Sequence, residues 1–424
     1  MKRAAIRTAL ALLAIGGLLV AGVGWLNLRD EDPIAGADPA ATPELIARGA
    51  YLARAGNCMG CHTAQGGAAY AGGRGVPTPF GTIYASNLTP DAATGIGTWS
   101  SAEFWRALHN GRARDGRLLY PAFPYPNYTR IARDDSDAIH AYLRSLPAVV
   151  QPNRVHELSF PFDQQVALAV WRALYFRPER ALPDASRSAD WTRGAYLVEG
   201  LGHCNACHAS RNALGATSNT LDLAGGLIPV QNWYAPSLTS PGEASVAGWD
   251  TQHIVDLLRT GISARGAVAG PMSEVVGGST QYLTEPDLRA MAIYLKALPQ
   301  SPALAVPADA PTGPSIDSVG GKLYTRHCAQ CHGDQGEGVS GVYPALAGSR
   351  AVTMRPAANL VHMVLEGGFP PSTAGNPRPY GMPPFGTVLS DDEVAQLLSY
   401  VRGSWGNQGA PVSALDVVRF RSIQ

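Results

Sequence analysis

The sequence predicts an all-α protein, in which an N-terminal apolar helix precedes three tandem helical repeats. Three observations predict it. A five-residue motif occurs three times, as Cys58-Met59-Gly60-Cys61-His62, Cys204-Asn205-Ala206-Cys207-His208 and Cys328-Ala329-Gln330-Cys331-His332. The stretches around the first two copies repeat at a constant offset of 150 residues. The segment that closes each repeat carries apolar residues at helical rather than strand spacing.

Cys-x-x-Cys-His is the pattern of covalent c-type haem attachment, in which the thiols form thioethers and the adjacent His becomes an iron ligand. The chain has 6 Cys, and all of them lie in the three motifs. A structural zinc site pairs two Cys-x-x-Cys knuckles across a short loop, whereas here more than a hundred residues separate successive pairs. A thioredoxin-like redox pair needs no following His and no second or third copy. The expectation is three covalently bound haem c groups. Cys58, Cys61, Cys204, Cys207, Cys328 and Cys331 attach them, and His62, His208 and His332 are the proximal iron ligands.

Along the chain, Lys2, Arg3 and Arg7 precede an uncharged run from Thr8 to Leu26, which Arg29, Asp30, Glu31 and Asp32 follow. Its nineteen residues approach the roughly 20 that span a bilayer, and no Ala-x-Ala cleavage site stands at its end. Residues 1–28 read as an uncleaved signal anchor in preference to a cleaved signal peptide. The basic end stays in the cytoplasm and the rest is exported. Residues 29–43, rich in Ala, Pro and Asp, read as a linker.

The first repeat occupies 44–150 and the second 188–303. Arg48-Gly49-Ala50-Tyr51-Leu52 leads into the first motif and Arg193-Gly194-Ala195-Tyr196-Leu197 into the second. Tyr84-Ala85-Ser86-Asn87-Leu88-Thr89 then matches Tyr234-Ala235-Pro236-Ser237-Leu238-Thr239, and Trp99 and Gly111 match Trp249 and Gly261. The third repeat, 304–408, is more distant. Gly320-Gly321-Lys322-Leu323-Tyr324 leads into its motif. Val394, Leu397, Leu398 and Val401 mark its closing helix, which Ser390 and Glu393 start as a capping box. The order helix, haem motif, loops, helix, ligand loop, closing helix resembles that of a class I cytochrome c domain, and it needs no strands.

Between the first two repeats, 151–187 form a linker with one amphipathic helix. Val166, Ala169, Val170, Ala173 and Leu174 share a helical face, with Gln164, Gln165 and Arg172 off it. Trp171, Tyr175 and Phe176 suit a membrane interface, and a helix packed on the neighbouring domain suits the stripe equally. Residues 409–424 are a tail without pattern. With Lys+Arg 33 and Asp+Glu 33 the net charge is zero, so no nucleic-acid partner is expected.

An electron-transfer haem commonly takes a Met thioether as its sixth ligand. Met272, in Gly270-Pro271-Met272, and Met382, in Tyr380-Gly381-Met382-Pro383-Pro384-Phe385, stand in the loop before the closing helix of repeats two and three. Met291 and Met363 lie in helical stretches and read as core. No Met occurs between His62 and Cys204, and the corresponding loop, Tyr120 to Tyr125, carries Phe123. His109 and His140 are the remaining donors for that haem, with His156 just outside the repeat.

These motifs, lead-ins and loops together resemble the triheme cytochrome c subunit of membrane-bound dehydrogenases, over essentially the whole exported chain. The resemblance implies an electron-transfer subunit with no catalytic site of its own. It would relay electrons from a periplasmic dehydrogenase subunit acting on CH-OH or aldehyde donors to membrane ubiquinone. That partner would carry pyrroloquinoline quinone, FAD or molybdenum, and the site of action would be the periplasmic side of the inner membrane. By the family pattern Met stands where this chain has Phe123. A haem enzyme, peroxidase or reductase, with an open iron at haem 1 is one alternative, and a free-standing membrane-tethered shuttle another.

Overall fold

A computed structural model describes residues 2–29, 31, 34, 37–179, 186–217, 223–301 and 314–421. The expected repeat boundary at 304, and Asp30 and Asp32 of the charged stop after the apolar run, lie outside these residues. The described chain is mostly helical and divides into two compact units. One comprises 1–52, 61–182 and 213–216, the other 53–60, 183–212 and 217–424.

In the first unit the apolar run forms α1, Lys2–Leu28, long and apolar enough to cross a membrane and with no residue buried. After it come α2 (Pro43–Ala55), α3 (Ser101–Asn110), α4 (Arg133–Arg144) and the linker helix α5 (Gln165–Tyr175). Helix α3 starts at a capping box, Ser100 with Glu103, and stops at Gly111 in the left-handed conformation. Contrary to the strand-free expectation, there is a small antiparallel sheet. Strands β1 (Gly75–Thr78), β2 (Gly81–Tyr84) and β3 (Glu157–Leu158) pair in that order. Gly81, at φ 122, makes it possible, because a Cβ there would overlap the Glu157 carbonyl.

The second unit contains α6 (Ala189–Ala195), α7 (Thr251–Thr260), α8 (Pro271–Gly278), α9 (Glu285–Lys296), α10 (Val319–His327), α11 (Ala358–Glu366), α12 (Asp391–Gly403) and α13 (Ala414–Phe420). Helix α6 runs on into a single π turn, Tyr196–Leu201, just before the second motif. Two short ladders, Gly226–Leu227 with Tyr234–Ala235 and Ile262–Ser263 with Gly266–Ala267, complete it. The side chains of Val394, Leu397, Leu398 and Val401 are all buried, and the capping box of Ser390 and Glu393 is present. The tail is more than a tail, since α13 sends Val417 and Phe420 into the same core. Seven residues are too few to show a helical period in sequence. Buried Arg402 ties α12 to both sides, donating to the carbonyls of Val352 (2.5 Å), Met354 (3.1 Å) and Ala410 (2.6 Å).

One crossing recurs three times. A lead-in helix meets a closing helix at a glycine, where a side chain would collide. A Cβ on Gly49 would overlap the Ala138 carbonyl of α4 and lie 2.8 Å from Tyr142 Cβ. On Gly194 it would overlap the Ala290 carbonyl of α9 and lie 2.7 Å from Tyr294 Cβ. On Gly320 it would overlap the Gln396 carbonyl of α12 and lie 2.9 Å from Tyr400 Cβ. An ion pair flanks the first two crossings: Arg48 with Asp135 at 2.6 Å, and Arg193 with both oxygens of Asp287 at 2.7 and 2.8 Å. The lead-in sequences thus exist for helix packing at near backbone contact.

Gly194→Val is therefore expected to destabilise the α6–α9 pair by about 3 kcal/mol or more, because backbone rather than a movable side chain obstructs the new atoms. Thermal unfolding of the haem-loaded chain checks this; a midpoint unchanged within error would contradict the crossing.

Candidate haem-binding sites

Each motif lies on or against a single helical turn: Cys58–Cys61, Asn205–His208 and Ala329–His332. The turn brings the two thiols to one side and the following His beside them. The residue before the first Cys takes a left-handed conformation in two copies, Asn57 at φ 48 and His203 at φ 38. No two of the six cysteines are joined in a disulfide. Burial pushes the Cys204 thiol up to about 12 and the Cys328 thiol up to about 11. Thiols so firmly protonated are ill suited to a disulfide-exchange role.

The three histidines share one geometry. His62 Nδ1 lies 2.7 Å from the Ser86 carbonyl, His208 Nδ1 2.7 Å from the Pro236 carbonyl, and His332 Nδ1 3.0 Å from the Pro344 carbonyl. A carbonyl only accepts, so each Nδ1 donates and each Nε2 keeps its lone pair. A hydrogen bond from its other nitrogen fixes the tautomer and ring plane of a metal-binding His. Burial also lowers the basicity of all three rings, which favours the neutral form that can bind iron. The accepting carbonyls sit two residues before Leu88, Leu238 and Leu346 respectively.

Among the described residues no three His, Cys, Asp or Glu side chains gather into a protein-only metal site. The donor set is instead two thiols and one oriented imidazole, three times over, and it fits haem c. Cys58, Cys61 and His62 would hold one group, Cys204, Cys207 and His208 another, and Cys328, Cys331 and His332 a third.

The candidate sixth ligands differ in setting. Met382 is in an extended segment paired with the end of α11: its N–H donates to the Gly368 carbonyl at 2.8 Å, and its carbonyl accepts from Gly368 at 3.0 Å. It is half-buried against the core of its repeat. Met272 lies in the first turn of α8, behind Gly270 at φ 54, rather than in a loop. A Cβ on Gly270 would strike the Trp233 ring at 2.7 Å, so only glycine lets this turn form. Met291 is core in α9, as its helical position suggested.

In the first unit Phe123 is half-buried with its ring 5.4 Å from Tyr128. His109, in α3, is buried and stacked on Trp105 at 4.4 Å. His140, in α4, packs on Phe104 at 5.2 Å with its Nε2 buried and without a hydrogen-bond partner. Burial, only partly offset by Asp38, pushes its pKa down to about 4, so the ring is neutral at pH 7. His156 Nδ1 accepts the Tyr84 N–H at 3.1 Å, so its proton sits on Nε2 and neither nitrogen has a free lone pair. Of the nitrogen donors, His140 has the chemistry of a ligand and His156 does not.

Sequence reasoning missed the three orienting carbonyls. The Tyr-Ala-x-x-Leu repeat around two of them was visible, but a backbone oxygen has no residue-type signature.

Comparison with known proteins gives the family. Residues 46–147 and 318–405 match the cytochrome c family. The chain is 37% identical over 409 residues to the cytochrome c subunit of alcohol dehydrogenase (quinone) from Gluconacetobacter polyoxogenes, covering 92% of this chain and 87% of the relative. It is 37% identical over 402 residues to the gluconate 2-dehydrogenase cytochrome c subunit of Pantoea cypripedii, covering 91% of each. It is 34% identical over 406 residues to the fructose dehydrogenase cytochrome subunit of Gluconobacter japonicus, covering 89% of this chain and 82% of that one. With identity at this level spanning almost the full length of several such subunits, the chain belongs to the cytochrome c family and groups with the cytochrome c subunits of dehydrogenases.

Proposed function

We propose that this chain is the electron-transfer subunit of a membrane-bound dehydrogenase, carrying three covalent haems c in three tandem class I cytochrome c domains. It takes electrons from a catalytic subunit that oxidises a CH-OH or aldehyde donor and delivers them to membrane ubiquinone. α1 anchors it, with the haem domains on the periplasmic side. The observation that carries this reading is the threefold recurrence of one arrangement, two cysteines and an imidazole whose Nδ1 is held by a backbone carbonyl. The middle copy has it as fully as the outer two.

Haem, when bound, supplies reversible one-electron chemistry. The chain contributes the rest. The cysteines would fix each group covalently, the histidines, held by backbone carbonyls, would present an oriented imidazole to the iron, and Met272 and Met382 would offer soft sulfur as a further ligand. The relatives' names suggest an alcohol, gluconate or fructose-type partner subunit for this chain.

Purification of the tagged full chain from membranes in mild detergent tests the proposal. The expected result is a complex with a large dehydrogenase subunit whose substrate reduces the haems and, through them, a ubiquinone analogue. A chain that purifies alone and turns over peroxide would instead support the haem-enzyme reading, which Phe123 favours by leaving the first unit without a sulfur ligand.

A further inference from the structure

Helix α5 is built inside out for a helix bathed in water. Its exposed residues are Gln165, Val166, Val170, Leu174 and Tyr175. Val166, Val170 and Leu174 recur every four residues and are 76%, 43% and 64% exposed. Its one charged side chain, Arg172, points inward. The guanidinium is buried, lies over the rings of Tyr125 at 5.1 Å and Phe176 at 4.8 Å, and donates to Asn27 Oδ1 at 2.9 Å. Leu168 is buried beside it. A surface helix normally places charge outward and its apolar stripe inward. Here the inner face is already complete, so the outward stripe is not waiting to close the first unit's own core. Phe160, five residues before the helix, is 81% exposed as well.

The position of α5 relative to α1 identifies what covers the stripe. Asn27 directly follows the apolar run Thr8 to Leu26. A run of that length fills the roughly 30 Å hydrocarbon layer, which puts Asn27 at the level of the headgroups. Asn27 Nδ2 donates to the Ala169 carbonyl of α5 at 2.9 Å, and Arg112 Nη2 donates to the Asn27 carbonyl at 3.1 Å. The anchor is thereby fastened to the helix at the depth where an amphipathic helix binds.

We infer that α5 lies in the lipid interface, with Val166, Val170 and Leu174 among the acyl chains, as a second membrane contact that seats the first unit on the bilayer where α1 emerges. This rests on the reading of α1 as a membrane anchor. The helix is too short to cross, since eleven residues rise only about 16 Å. Buried Arg172 locks its rotation, so the apolar face cannot turn away from lipid. Exposed Arg177, just past its end, is placed for lipid phosphate.

All natural cysteines belong to the haem motifs, so an introduced thiol can be labelled alone. The full chain, reconstituted in phosphatidylcholine–phosphatidylglycerol vesicles, receives a nitroxide at Val166→Cys, Val170→Cys or Leu174→Cys. Leu18→Cys reports α1, and Ala92→Cys, on an exposed loop, reports water. Collision with oxygen, which enters lipid, is compared with collision with a water-soluble nickel chelate. The expected oxygen-to-nickel ratio at all three stripe positions exceeds that at Ala92 by at least about fivefold. Nickel access at the stripe with Leu18 in lipid overturns this inference alone. Low access of both reagents to the stripe means that a protein covers it, and also overturns it. Nickel access at Leu18 removes the anchor, and this inference with it.

Discussion

Replacing Cys204 and Cys207 with alanine should lower the haem content from three per chain to two and cost the α6–α9 region its fold. All six cysteines are in attachment motifs, so no other thiol can hold the middle group. Beside the glycine crossing and the Arg193–Asp287 pair, the repeat buries apolar side chains of its own, Leu197, Val198, Leu201, Ile254, Val255 and Leu288 among them. An exposed or half-exposed ion pair contributes at most about 1 kcal/mol, against roughly 5–15 kcal/mol for a typical domain. Haem, when bound, would add its own apolar surface to that core, so its loss should loosen the repeat. Haem-to-protein ratio by pyridine haemochrome, with intact mass, measures the first effect. Loss of a protease-resistant fragment spanning 186–301 measures the second. A wild-type ratio of two, or a variant that keeps three, would refute the three-haem proposal.

The second large effect is expected at the first haem. Repeats two and three offer Met272 and Met382, while the first offers Phe123, whose ring cannot bind iron. His140 is the nitrogen donor best prepared to take the place: buried, neutral at pH 7, and with an Nε2 that no protein group uses. Exchanging a thioether for nitrogen, or for nothing, removes a soft donor that favours Fe(II), so this haem should have the lowest potential of the three. Phe123→Met should raise it by a sizeable part of the roughly 0.8 V range over which axial ligands tune haem. Redox titration followed by electron paramagnetic resonance should find two His-Met haems in the natural chain and three in the variant. In His140→Ala the remaining haem should become high-spin, as five-coordinate iron is. Three His-Met haems in the natural chain would end the argument, and an unchanged spin state in His140→Ala would return the choice to His109 or to an open position.

The parts of this protein legible in its sequence are those whose signal is local. The haem motifs are five residues long, and each residue type is demanded by bond chemistry. The capping box at Ser390 and Glu393 acts across one turn, and the buried stripe Val394, Leu397, Leu398 and Val401 lies within one helix. Repetition at a fixed offset told which stretches are equivalent, because the same packing problem was solved twice with nearly the same residues. Family membership followed from these features.

What only the tertiary structure decided depends on contacts between distant segments or on groups without a side chain. Ser86, Pro236 and Pro344 serve through their carbonyls, which every residue possesses. Gly49, Gly194 and Gly320 could be read as a repeated lead-in, but the reason for glycine is a backbone 89, 96 and 76 residues away in chain order, respectively. The period of α5 revealed an apolar stripe and left open whether it faced protein or lipid. The structure decided its direction through Arg172: because a buried guanidinium needs aromatic faces and the Asn27 carbonyl-type oxygen around it, the charged edge turned inward and the apolar edge was left outside. The helix α13 was invisible for a simpler reason. A seven-residue segment has too few turns to display a period, and Val417 and Phe420 count as core only once α11 and α12 are there to receive them.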